Sequence, residues 1–313
     1  MTDIALPLGA GFVLLYVSGE ALVAGAVRVA VRFGVSALTV GLTVVAFGTS
    51  SPELVVSLDA AVRQADGLVV GSIVGSNLCN LLLVLGLAAL LRPIEVRRKL
   101  LRVDLPILIF ASLAMLVMLR DGHLSRIEGM VLFAGIVGYT GFSLRRSQQQ
   151  TGPTEDLEDP PVPGLQMFPA WVLILGGIAG LTLGAHLFVG GAVDLARILG
   201  VSDSLIGLTV VAIGTSLPEI SAGVVAAWRG QGDLAVGNAV GSSIFNILCV
   251  LGTTTMLHPL QMAGVTSTDL YLMLAAPIVL LPFAGTGLRL VRWEGGLLVL
   301  LYAAYVLWRS TAG

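Results

Sequence analysis

Residues 41–54 read Gly41-Leu-Thr-Val-Val-Ala-Phe-Gly-Thr-Ser-Ser-Pro-Glu-Leu54. Residues 207–220 read Gly207-Leu-Thr-Val-Val-Ala-Ile-Gly-Thr-Ser-Leu-Pro-Glu-Ile220, identical at eleven of fourteen positions. The same offset of 166 aligns Gly71 to Gly86 with Gly237 to Gly252, nine of sixteen identical, and Gly34-Val-Ser36 with Gly200-Val-Ser202. No gap is needed from one stretch to the next. Self-similarity at a fixed offset is the signature of a duplicated architecture. The chain divides into two homologous halves, residues 1–144 and 170–313, joined by residues 145–169.

The composition says what medium those halves occupy. Of 313 residues, 56% are apolar and only 12% are Asp, Glu, Lys or Arg, and the mean hydropathy is +0.95. A soluble domain carries about 25% charged residues, so a solvated surface cannot be assembled from this supply. Apolar runs long enough to cross a bilayer as helices fall at roughly 5–27, 37–62, 68–91, 103–119, 125–144, 170–196, 204–227, 234–257, 268–286 and 293–308. Ten runs in two halves give five per half. Because five is odd, the second copy must enter the membrane from the opposite side to the first. The fold expected is an all-α integral membrane protein with ten transmembrane helices as two inverted five-helix repeats, an architecture of secondary transporters with the substrate site near the midplane.

Lys and Arg set the orientation. The odd-numbered breaks between spans hold twelve basic residues, among them Arg92, Arg97, Arg98, Lys99 and Arg102. The other side holds five: Arg63, Arg120, Arg126, Arg197 and Arg309. This places both termini outside and the odd breaks in the cytoplasm. The 145–169 segment carries Glu155, Asp156, Glu158 and Asp159 among prolines and reads as a solvated cytoplasmic linker. The leader before the first run has an acid, Asp3, and no basic residue, which does not fit a cleavable signal. A net charge of −2 gives no pull toward nucleic acid. Cys79 and Cys249 each sit in an apolar run, and the chain has no HExxH, Walker loop or GxGxxG, so neither a metalloenzyme nor an NTPase is indicated. No enzymatic activity, cofactor or obligate protein partner is expected.

The chemistry lies in what the repeat duplicates. Glu53 and Glu219 fall deep within spans two and seven, where a carboxylate costs at least about 2.5 kcal/mol. Helical spacing gathers oxygen donors beside them. Thr49 is four residues before Glu53, Ala46 seven before and Ser50 three before. Thr215, Ala212 and Ser216 stand in the same relation to Glu219. Pro52 and Pro218 kink their helices and free the carbonyls of Gly48 and Gly214. Spans three and eight supply Ser76 with Asn80 and Ser242 with Asn246, each an i, i+4 pair. They also carry GxxxG pairs (Gly71 and Gly75, Gly237 and Gly241) that allow close helix contact. Hard oxygen donors with no soft ligand suit calcium and sodium.

Gly48-Thr-Ser-Ser-Pro-Glu53, Gly214-Thr-Ser-Leu-Pro-Glu219, Gly75-Ser-Asn-Leu-Cys-Asn80 and Gly241-Ser-Ser-Ile-Phe-Asn246 resemble the alpha-repeats of the calcium/cation antiporter superfamily. They are most similar to its prokaryotic sodium/calcium exchangers. The resemblance spans both halves. It implies ten helices, location in a prokaryotic plasma (inner) membrane, and four ion sites in a diamond at the centre. The family pattern maps onto Ala46, Thr49, Ser50, Glu53, Ser76 and Asn80, and onto Ala212, Thr215, Ser216, Glu219, Ser242 and Asn246. By this resemblance the glutamates hold calcium, the first-half hydroxyls a sodium site toward the cytoplasm and the second-half ones a sodium site toward the outside. Spans one and six are similar to the family's sliding gating pair. Calcium, sodium and the lipid bilayer are the partners implied.

Two departures bear on coupling. Some members, including potassium-dependent exchangers, carry Asp at the position of Asn246. Proton/calcium exchangers have a GNxxE-type motif in place of GTSxPE. Sodium coupling is therefore the reading, with proton- or potassium-coupled calcium antiport as the alternative. A cation channel, or a receptor that binds calcium without moving it, is the rival from another class. Glu20 and His186 correspond at the repeat offset. They read as a packed, partly protonated acid and a hydrogen-bonded core histidine, with an entry path as the other reading. Asp59 reads as interfacial, and His123 and His258 as residues of loops or span ends.

Overall fold

A computed structural model describes residues 2–149, 168–200, 212–262 and 264–312. The acidic part of the linker and residues 201–211, which include Gly207 to Val211 of the second motif, fall outside them. Nearly everything described is helix: α1 (Thr2–Phe33), α2 (Ala37–Thr49), α3 (Ser51–Val62), α4 (Asp66–Leu91), α5 (Leu100–Asp121), α6 (Arg126–Gln149), α7 (Ala170–Ile198), α8 (Ala212–Thr215), α9 (Leu217–Trp228), α10 (Gly232–Leu257), α11 (Ser267–Gly285) and α12 (Arg292–Ala312). Among the described residues seven helices are long and apolar enough to cross a membrane. The count is eight if α2 and α3, bent by 42° at their junction, form one span. In a bilayer every backbone polar group must be satisfied internally, which is why such runs become helices. Their outer faces carry Phe12, Phe110, Ile127 and Leu300, all exposed. Trp171, Trp228 and Trp293 stand exposed near helix ends, where the amphipathic indole suits a membrane boundary.

α10 is buried along its whole apolar window and α4 along most of its own. Glycine lets α10 approach this closely. A Cβ on Gly237 would lie 2.6 Å from the Leu38 carbonyl oxygen, and one on Gly241 2.7 Å from the Leu42 Cα. The predicted GxxxG contact of the second half is thus made against α2. For Gly71 and Gly75 the corresponding stretch, 204–208, lies outside the described residues.

Contacts between the halves come in exchanged pairs. Gly11 meets Phe188, and Gly177, its counterpart, meets Leu22, the counterpart of Phe188. Gly25 meets Ile174 and Gly191 meets Leu8; Gly86 meets Gly295 and Gly252 meets Gly129. The short strand Ile94–Glu95 pairs antiparallel with Arg289–Leu290, and His123–Leu124 pairs with Leu260–Gln261. At an offset of 166 the first pairing is the image of the second. Reciprocity of this kind, i on j and j on i, is what a two-fold relation produces.

The largest contact runs between α1 and α7. They lie antiparallel along a seam of Gly11, Gly25, Gly177, Gly184 and Gly191 at which an added Cβ would strike backbone or side chain within 3.0 Å. At about 1.5 Å per residue these helices are longer than the hydrocarbon thickness, enough to span it with tilt.

Candidate functional site

The two glutamates are set by helix breaks. The α2 helix ends at Thr49, Ser50 adopts φ −87°, ψ 3°, and α3 starts at Ser51. Glu53 therefore stands in the first turn of a new helix, with Pro52 beside it where a missing N–H costs nothing. Ser216 adopts φ −93°, ψ 7° ahead of α9, and Glu219 occupies the same first-turn place. The proline kink predicted from sequence is present but falls at Ser50 and Ser216, two residues upstream of each proline. Thr49 and Glu53 thus belong to different helices, not to one face of a continuous one. The first turn of a helix favours negative charge, so the break aims a dipole at each carboxylate.

Both carboxylates are buried, with Glu53 5% exposed and Glu219 0%. Thr49, Ser50, Ser76, Asn80, Ser216, Ser242, Asn246 and Ala46 are buried too, and Thr215 is half-buried. The backbone of Ala212 begins α8; its side chain lies outside the described residues. The gathering crosses the repeat. Ser50 Oγ, from the first half, donates to Glu219 Oε1 in the second (3.2 Å). Thr49 Oγ1 and Ser242 Oγ lie 3.3 Å apart, and Ser216 Oγ donates to Ser76 Oγ (3.4 Å). Thr49 Oγ1 is also 3.5 Å from the Ala46 carbonyl oxygen.

Asn80 and Asn246 both lie where their helices widen into π-turns, Cys79–Val84 and Asn246–Leu251, a local unwinding frequent at functional sites. Among the described residues, both oxygens of Glu53, Oε2 of Glu219, Oδ1 of Asn246 and both amide atoms of Asn80 have no hydrogen-bond partner. Buried polar atoms are normally paired. Five of these six atoms are oxygens, the donor set of a hard cation. The residues present therefore fit sodium or calcium as cargo.

Asn77 and Asn238, both buried, are not marked by the repeated motif. Asn238 Oδ1 accepts from Thr49 Oγ1 (3.1 Å), and Asn77 Oδ1 accepts from Asn246 Nδ2 (3.2 Å). Two further polar clusters lie away from the glutamates. Tyr139 OH donates to Asp104 Oδ1 (3.2 Å), and its counterpart Tyr305 donates to Asp269 Oδ1 (3.2 Å). Arg309 lies 3.3 Å from Asp269. Lys99 lies close by Asp104 and donates to Thr39 Oγ1 (3.2 Å). Burial lowers the Lys99 ammonium below its ordinary range, with Asp104 acting against that shift.

Glu20 and His186 do not form a pair of equivalent site residues. Glu20 is buried as expected, but Arg229 Nε bonds both of its oxygens at 2.9 and 2.7 Å. The acid is packed as expected, with a guanidinium partner that the repeat does not reveal. The same hydrogen bond raises the proton affinity of Arg229. His186 is exposed on α7, not a core residue, because the α7 seam toward α1 is made by its glycines. Asp59 is exposed and pairs with Arg63; His123 lies in a short strand and His258 at the end of α10, the loop and span-end places predicted for the two histidines.

A helical bundle with buried, unpaired oxygen donors where its two halves meet is the build of a membrane protein that carries cations. The family model for "Sodium/calcium exchanger protein" matches residues 4–145 and 169–311, and the chain belongs to that family of cation antiporters. It is 36% identical over 308 residues to the inner membrane protein YrbG of Escherichia coli (strain K12), covering 95% of this chain and 93% of that one. It is 32% identical over 341 residues to the sodium/calcium exchanger MaX1 of Methanosarcina acetivorans, covering 95% of each. Among solved structures it superposes on the sodium-calcium exchanger NCX_Mj soaked with zero Na+ and Ca2+, with a TM-score of 0.84 at 32% identity, over 98% of this chain and 99% of that one.

Proposed function

We propose that the protein exchanges calcium for sodium by alternating access, with Glu53 and Glu219 as the calcium carboxylates. Thr49, Ser50, Ser76, Asn80 and the Ala46 carbonyl, and Thr215, Ser216, Ser242, Asn246 and the Ala212 carbonyl, complete the ion sites. The observation that carries this reading is the set of unpaired oxygens on Glu53, Glu219 and Asn246, drawn from both halves. The exchanged contact pairs support ten spans as two inverted repeats. In that arrangement the termini lie outside and the linker in the cytoplasm, as the basic residues indicate.

The pocket charge explains why exchange is obligatory. Two ionised glutamates give −2, costly to move past apolar packing when nothing compensates it. One calcium or two sodium ions cancel it, so only loaded carriers cross. With three sodium ions the pocket carries +1, and one charge moves per cycle, worth about 2.3 kcal/mol per 100 mV. The glycine seam between α1 and α7 is the plane on which one bundle slides over the other. Asn246 adds no third carboxylate, which supports independence from potassium. The test is calcium uptake into proteoliposomes under opposing sodium, potassium or proton gradients. Only the sodium gradient is expected to drive uptake, faster when the potential favours the net charge movement. Uptake driven by protons alone, or a strict potassium requirement, would replace the sodium coupling.

A further inference from the structure

Repeat symmetry predicts that what one half's site has, the other has as well. Two buried asparagines break the rule. Asn77 corresponds to Ser243, and Asn238 to Ser72. Each asparagine reaches across to the other half: Asn77 to Asn246 (3.2 Å) and Asn238 to Thr49 (3.1 Å). The corresponding serines instead bond within their own helices, Ser243 to the Ala239 carbonyl and Ser72 to the Val69 carbonyl, each at 2.9 Å.

The polarity of both contacts is set from behind. An asparagine amide has one accepting end and one donating end. Asn77 Nδ2 faces Met273 Sδ (3.8 Å), and a thioether can only accept. Asn238 Nδ2 faces the Glu219 carbonyl oxygen (3.5 Å), which can also only accept. In each case the nitrogen is committed, so the oxygen must face the neighbour. Asn77 Oδ1 then takes the Asn246 Nδ2 hydrogen, which leaves the Asn246 Oδ1 as the end turned away, and that oxygen is one of the unpaired ones. Asn238 Oδ1 (3.1 Å) is nearer to the Thr49 hydroxyl than Ser242 Oγ (3.3 Å) or the Ala46 carbonyl (3.5 Å), and the single hydroxyl hydrogen placed there leaves the lone pairs of Thr49 for a cation. A hydroxyl or amide binds a cation only through its oxygen, so the fate of its hydrogens decides whether it is a ligand.

We propose that Asn77 and Asn238 are positioning residues that fix Asn246 and Thr49 in their cation-accepting orientation, each half thereby preparing a ligand of the other. The proposal rests on the ligand reading of Asn246 and Thr49 given above. Asn77→Ser and Asn238→Ser install the residue found at the corresponding place in the other half. The measurement is half-saturation for calcium and for sodium at each face, with maximal flux, in proteoliposomes of the full chain. Each serine variant should raise the half-saturation of at least one ion by roughly 10-fold or more, while the control variants Ser72→Ala and Ser243→Ala leave it within about twofold.

A positioning residue acts through its ligand, so each effect should vanish when that ligand is gone: Asn238→Ser should be silent in a Thr49→Ala background and Asn77→Ser in an Asn246→Ala background. A residue needed only for packing would lower the yield or thermal stability and leave half-saturation unmoved. Where a serine variant does not fold, Asn77→Ala or Asn238→Ala is read the same way. Unchanged half-saturation in the asparagine variants, or effects that persist in the ligand-deleted backgrounds, would overturn the proposal. If Thr49→Ala and Asn246→Ala themselves leave both ions unaffected, the ligand reading is what fails.

Discussion

The two halves share their motif almost letter for letter, yet they hold their equivalent residues differently. Glu219 accepts a hydrogen bond from Ser50, while Glu53 has both oxygens unpaired among the described residues. Arg229 and Arg63 are counterparts at the repeat offset, and both follow the helix that carries a glutamate. Arg229 reaches back to the buried Glu20, whereas Arg63 pairs with exposed Asp59 on its own helix. The carboxylates and hydroxyls of the proposed site recur in both halves; the partners around them do not. The chemistry of the site is therefore symmetric and its scaffolding is not.

The largest expected effect is one on which the halves agree. Glu53→Gln and Glu219→Gln each remove one of the two charges that calcium compensates in the proposed site. Each should cut calcium exchange by roughly 100-fold or more, corresponding to about 3 kcal/mol. The fold should survive, because each change also removes a desolvation cost. Calcium flux and monodispersity in detergent check this. Exchange near wild type in one of the two would mean that the halves do not contribute equivalent carboxylates.

Sidedness separates the halves next. Thr49→Val should raise the sodium half-saturation by about tenfold from the cytoplasmic face, and Thr215→Val from the outer face, with calcium affected less. Sodium dependence is measured from each face of oriented vesicles. Equal losses from both faces in both variants would merge the two sodium sites into one.

The smallest effect tests the scaffolding. Arg229→Leu strands Glu20, which is 5% exposed at its side chain. It should destabilise the protein by about 2–3 kcal/mol, below the usual cost of breaking a buried pair because Arg229 itself reaches solvent. Arg63→Leu removes an exposed i, i+4 pair and should be near neutral. Thermal unfolding in detergent compares them. Equal midpoints would remove the distinction between a buried and a solvated partner.

The duplicated, hydropathic features were legible in the sequence. Apart from 204–227, whose first eight residues lie outside the described ones, the apolar runs coincide with described helices to within several residues, and α1 extends beyond its run to Phe33. Glu53, Glu219 and the hydroxyls around them were readable because their motif occurs twice. What escaped was single-copy or geometric. Asn77 and Asn238 have serine counterparts, so the repeat gave them no emphasis. The helix break at Ser50 and the π-turns at Asn80 and Asn246 depend on how α2, α4 and α10 pack, which periodicity does not report. The partner of Glu20 lies 209 residues away, and the exposure of His186 follows from which face of α7 carries glycine. One missed signal was available. Tyr139 and Tyr305 correspond at the repeat offset, and each donates to a carboxylate near the N-terminal end of the preceding helix.

The central claim is that a pocket of charge −2 cannot cross without compensating ions, so calcium leaves only in exchange. The direct measurement loads proteoliposomes with calcium and dilutes them into a medium whose sole cation is impermeant, free of sodium and calcium. The account predicts negligible calcium release until sodium is added, then rapid release that saturates with sodium. Release at the same rate without any counter-ion would contradict it and mark the protein as a channel.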